Sequence, residues 1–176
     1  MKKISEFIIP FIGMKEGEHT FNYVIRKSFL EKFDNSEIKD IVLNVEVKMI
    51  KNNRLYEFRF HLKGSAQVEC DRCLDEFNMP VDYQSRLFVK TEDIENAEDD
   101  IVYLKSDESE IDISQFIYEN IIFSLPQKRV HPDIKGKSQC NPEMLKKLNS
   151  LSANKSNKTP DPRWNEFKKM LNNLIK

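Results

Sequence analysis

The chain has 176 residues, 39% of them hydrophobic and 10% aromatic, with twelve phenylalanines. That suffices for a buried core and excludes a globally disordered chain. Charged residues make up 32% at a net charge of −1, but the balance is uneven. The stretch from residue 126 onward carries twelve Lys and Arg against four acids, while residues 92–112 hold ten acids and one lysine. A basic tail beside an acidic loop suits an anionic partner.

No apolar run has the length of a membrane span. The basic, then apolar, start is too short for a signal peptide, so a cytoplasmic location is expected. Three cysteines, an odd number, in a reducing compartment argue against a disulfide framework.

Residues 4–12 are apolar around Pro10 and read as an edge strand or two short pieces. Residues 20–25 suit another short strand. Phe29, Leu30 and Phe33 have the spacing of one helical turn. Residues 41–49 and 56–62 then alternate apolar and polar, the pattern of strands with one buried face, and Asn52-Asn53 makes the turn between them. Gly64 is expected to mark a bulge or bend. The pattern continues through Ala66 and Val68 to Cys70 and Cys73, and returns antiparallel along Phe77, Met79, Val81, Tyr83, Leu87 and Val89.

Residues 91–100 read as a solvated acidic loop, and residues 101–104 as a short strand. Asp112 with Gln115 resembles a helix N-terminal capping box. The helix that follows is apolar over most of its circumference, which predicts a buried position, and Pro126 stops it. Asn141-Pro142-Glu143 opens an amphipathic helix with Met144, Leu145, Leu148 and Leu151 as its stripe. Asp161-Pro162 opens a second, with Trp164, Phe167 and Leu171 on one face. The expected fold class is α+β: a mainly antiparallel sheet with a Cys-x-x-Cys connection, one buried helix and two C-terminal amphipathic helices. Residues 1–151 would form one domain, 152–160 a linker and 161–176 the last helix.

The Cys-x-x-Cys pair supplies half of a four-ligand zinc site. The remaining sulfur is Cys140, and the nearby imidazole is His131, so Cys70, Cys73, His131 and Cys140 form a candidate Cys3His set. Zinc suits thiolates and imidazole. A cluster of three reduced structural thiols fits the same composition, and the pair lacks the glycine that often follows the second cysteine in zinc ribbons. A redox dithiol would want a helix N-terminus to depress a thiol pKa, whereas strands flank this pair. No phosphate-binding glycine loop or catalytic motif occurs. Lys128, Arg129, Lys135, Lys137, Lys146, Lys147, Arg163, Lys168 and Lys169 are candidates for phosphate contact. Their alternative is the solvated face of two helices. Trp164, Phe167 and Leu171 form a face that packs on the domain, a second copy or a partner.

Several stretches in this order resemble the YceD family of large ribosomal RNA subunit accumulation proteins. They are Val-Glu-Cys-Asp-Arg-Cys-Leu at 68–74, Asp112-Ile113 opening a helix that ends Ser124-Leu125-Pro126, Val130-His131 followed by Cys140, and Asp161-Pro162-Arg163-Trp164 with Phe167-Lys168-Lys169. The resemblance implies a role in accumulation, processing or early assembly of large-subunit (23S) ribosomal RNA, and no catalysis. It also implies that the four candidate ligands belong together. The implied partners are large-subunit ribosomal RNA, a pre-ribosomal particle or a large-subunit ribosomal protein, with no membrane and no small-molecule substrate. A zinc-stabilised protein–protein adaptor without RNA contact is the alternative.

Overall fold

The computed structural model describes residues 5–33, 37–53, 55–92, 101–152, 164 and 170. Contacts divide the chain into two compact units, Met1–Asn141 and Pro142–Lys176.

The first unit is dominated by one sheet. A short helical turn at Ser5–Phe7 leads into β1 (Ile8–Pro10), β2 (Gly17–Arg26), α1 (Lys27–Leu30), β3 (Ile38–Asn52), β4 (Leu55–Glu69) and β5 (Glu76–Thr91). Then come β6 (Ile101–Leu104), β7 (Glu110–Asp112), α2 (Ser114–Ser124), β8 (Asp133–Ile134) and β9 (Lys137–Ser138). The five-stranded sheet has the order β2-β3-β4-β5-β6. Consecutive strands pair antiparallel except β6, which runs parallel to β5. Strand β1 pairs with β7 in a separate two-stranded ribbon.

The period-two pattern explains the layering. Leu43, Val45, Val47 and Met49 on β3 and Phe58, Phe60 and Leu62 on β4 are fully buried on the inner face. The intervening residues face outward, and Val42, Asn44, Arg59 and Lys63 are exposed there. The inner face is covered by Ile117 and Ile121 of α2 and Ile113 just before it, by Ile9 and Ile111 of the ribbon, and by Phe29 and Leu30 of α1. Phe33, in the helical turn Glu31–Phe33 that follows α1, stacks on Tyr118 of α2 with ring centroids 4.4 Å apart.

The expected fold class is corrected in its helices and its balance. The chain is strand-dominated, and its described helices are α1, α2 and α3 (Pro142–Leu151). The expected class omitted α1, which is held in place by its two buried apolar residues although four residues are far below the length of a self-sustaining helix. One C-terminal helix is a described element, not two, and α3 buries none of its residues. The second expected helix lies almost wholly outside the described residues. Within it, Trp164 and Met170 are helical.

Gly64 is also corrected. Pairing runs unbroken through Leu43, Gly64 and Val81, and the register shift falls between Ile38 and Asp40. The glycine is required by close approach, because a Cβ there would lie 2.1 Å from the Val42 carbonyl oxygen at a backbone φ of +156°. Asn53 turns the β3–β4 hairpin with φ 50°, as its tolerance of that region allows. At α2 the Asp112 carboxylate accepts the Ser114 N–H at 2.9 Å. Gln115 does not complete a capping box and donates instead to Glu119.

Candidate metal centre

The centre sits where β4 ends. Cys70 follows the last residue of β4, and Cys70–Cys73 form a tight turn in which the Leu74 N–H donates to the Cys70 carbonyl at 2.9 Å. Leu74 takes the left-handed conformation, φ 66°. The glycine missing from the sequence is therefore missing at a position that uses glycine-like geometry, and an exposed leucine carries the strain.

The other half arrives from the segment after α2. Val130 and His131 run beside the turn, and β8 and β9 form a small hairpin closed by Lys135 and Gly136, both with positive φ, as a type I′ turn demands. Cys140 follows β9. Two hydrogen bonds fasten this segment to the turn. The Asp71 N–H donates to the Arg129 carbonyl at 2.7 Å. The Arg129 N–H donates to the Asp71 carboxylate at 2.6 Å. The Arg129 guanidinium extends the tie to Glu37 at 3.2 Å.

The result is a compact donor set. One ligand atom each from Cys70, Cys73, His131 and Cys140 lies within 4.8 Å of all the others. Cys70 Sγ is 3.8 Å from Cys140 Sγ, and Cys73 Sγ is 3.4 Å from His131 Nδ1. A tetrahedral zinc with Zn–S of about 2.3 Å and Zn–N of about 2.0–2.1 Å has S···S edges of about 3.8 Å and S···N edges of about 3.6 Å. The two distances match those edges. All three thiols are buried and none is in a disulfide. Phe77 packs against the His131 ring, centroids 4.5 Å apart, and fixes its orientation.

The electrostatics favour a bound cation. Burial pushes the Cys70 thiol up, but the backbone N–H groups of Arg72, Cys73 and His131, with the His131 side chain, outweigh it and bring Cys70 down to about 6. Cys73 is raised by burial and by the neighbouring Cys70 sulfur, against the lowering effect of Asn141 and Asp75 N–H groups. One thiolate is thus ready, while the second forms at the expense of the first unless a metal shares the charge. These four residues could hold a metal ion.

Lys128, Lys135 and Lys137 are exposed on the pinned segment, and Lys146 and Lys147 are exposed on α3. Arg129 is only partly exposed and engaged with Glu37. Trp164 is 59% exposed. Arg163, Phe167, Lys168, Lys169 and Leu171 lie outside the described residues. Sequence reasoning missed Asp71, Glu37 and Phe77 as supports of the centre. An acid inside the Cys-x-x-Cys turn was the available signal for the first.

No helix among the described residues is long and apolar enough to cross a membrane. No curated protein and no solved structure matches the chain. The family description "Large ribosomal RNA subunit accumulation protein YceD" matches residues 58–171, a span that includes all four metal-competent side chains. On that match the chain belongs to the YceD family, whose name assigns it a role in accumulation of large-subunit ribosomal RNA.

Proposed function

We propose that the protein is a non-enzymatic, cytoplasmic ribosome-biogenesis factor that acts by binding large-subunit ribosomal RNA or a large-subunit assembly intermediate, with zinc as a structural cofactor. The observation that carries this reading is the convergence of Cys70 and Cys73 with His131 and Cys140. A metal there ties the sheet to the segment bearing Lys128, Lys135 and Lys137. Four protein ligands leave no open position for substrate or water, the mark of a structural rather than a catalytic zinc site. Zinc would supply cross-linking energy to a segment whose own strands are two residues long.

The three exposed lysines, with those of α3, would then meet phosphates as point charges. The test is titration of the full chain with a large-subunit ribosomal RNA fragment at several salt concentrations. Replacing Lys128, Lys135 and Lys137 with alanine is expected to weaken binding. It should also reduce the slope of log affinity against log salt by about 2, for single-stranded contacts worth about 0.7 each. Affinity that is absent or indifferent to salt would overturn direct RNA binding.

A second reading, a zinc-stabilised protein–protein adaptor, draws on the exposure of Trp164. It expects a large-subunit ribosomal protein to co-purify after nuclease treatment and to be lost with Trp164→Glu.

A further inference from the structure

Strand β2 is a sheet edge: its neighbour among the described residues is β3 alone. All ten of its residues pair with β3 in an unbroken register, so the strand is long and regular. The opposite edge, β6, has four residues. Long edges are ordinarily blunted by proline, lysine, bulges or shortness. β2 has no proline, lysine or bulge, and residues 20–25 carry no charge. Half of its backbone N–H and C=O groups point away from β3 and are presented to a further strand.

The side chains indicate which strand. Thr20, Asn22 and Val24 are exposed on the outer face, and Phe21 and Tyr23 lie on the inner one. A second copy turned about a two-fold axis perpendicular to the sheet runs antiparallel to the first. It also sets outer residues against outer residues. The longest such overlaps centre on Phe21 or on Asn22. Centred on Asn22, Glu18 faces the partner's Arg26 and, by symmetry, Arg26 faces the partner's Glu18. Thr20 then meets Val24, and Phe21 meets Tyr23. These are opposite-charge, β-branched and aromatic pairs, the combinations that stabilise cross-strand contact. Centred on Phe21, Glu18 faces Val24, and Arg26 falls opposite Glu16, outside the partner's strand. We propose that the β2 edge is the interface of a symmetric homodimer, with Asn22 on the two-fold axis and the two sheets continuous across it.

The contact is one strand wide, below the size of a standard stable interface, so association is expected at micromolar order. Sedimentation velocity of the full chain up to about 100 µM should show a monomer–dimer equilibrium. Glu18→Arg or Arg26→Glu should each weaken the dimer about tenfold, by placing like charges opposite at both ends. The two changes together should restore it. Asn22→Cys should form a disulfide-linked dimer under mild oxidation. Thr20→Cys should not, because equivalent residues two positions off the axis are separated by about 13 Å. Unchanged thermal midpoints would show that these exposed substitutions leave the fold intact. A chain that stays monomeric, a dimer indifferent to Asn22→Lys, or equal cross-linking at residues 20 and 22 would overturn the proposal.

Discussion

Asp71 and Arg129 hold each other twice: the Asp71 N–H donates to the Arg129 carbonyl at 2.7 Å, and its carboxylate accepts the Arg129 N–H at 2.6 Å. The two residues are separated in sequence by all of β5, β6, β7 and α2. Their pairing sets the turn that carries two thiols against the segment that carries the third thiol and the imidazole.

Removing the carboxylate tests that role. Asp71→Ala should cost about 1 kcal/mol, the usual net worth of one hydrogen bond. The Arg129 amide should also exchange with solvent faster, while amides of the β3–β4 core are unchanged. Equal protection of the Arg129 amide in both proteins would show that the bond does not hold the segment.

Leu74 carries strain that glycine would relieve. A left-handed conformation costs an ordinary L-residue roughly 1–2 kcal/mol, partly offset by the greater freedom of glycine in the unfolded chain. Leu74→Gly should therefore raise stability by about 0.5–1 kcal/mol, seen as a higher denaturant midpoint at constant slope.

Gly64 is the opposite case. Gly64→Ala places a Cβ against the Val42 carbonyl in the middle of the β3–β4 ladder. Backbone on backbone has little room to move, so a loss of at least about 2 kcal/mol is expected in equilibrium unfolding.

The metal-free chain should respond to pH through its cysteines. Cys70 has a folded pKa of about 6, below its ordinary value of 9.0. The folded state therefore holds fewer protons between these values, and stability should rise with pH across that window. Its contribution is complete above about 9 and is lost as pH falls through 6. Cys73 is raised, so its contribution is present below its ordinary value and is lost as pH rises above it. Metal-free protein should be most stable near pH 9, and Cys70→Ser should flatten the rise between 6 and 9 in a urea-midpoint series.

Much of the sheet was legible because β3, β4 and β5 bury one face, and that imposes a period of two on the sequence. The helix at α2 was legible from its apolar girth and Pro126. The separate ribbon of β1 with β7 was not, since each strand has three residues and the pairing joins distant parts of the chain. The parallel placement of β6 was hidden for the same reason. Composition supplied the four metal-competent side chains, whereas of their supports only Asp71, an acid inside the Cys-x-x-Cys turn, carried a signal. Glu37 acts through a contact with Arg129, far along the chain, and its sequence neighbourhood resembles any charged surface. Arg129 reads as a cation for phosphate, yet its backbone and guanidinium hold the segment in place.

The central functional claim is that Cys70, Cys73, His131 and Cys140 hold zinc together. Metal content of freshly purified protein, measured beside Cys140→Ser, tests it most directly. One zinc per chain, lost in the variant, is the expected result. A wild-type chain without zinc, or a variant that retains it in full, would contradict the account.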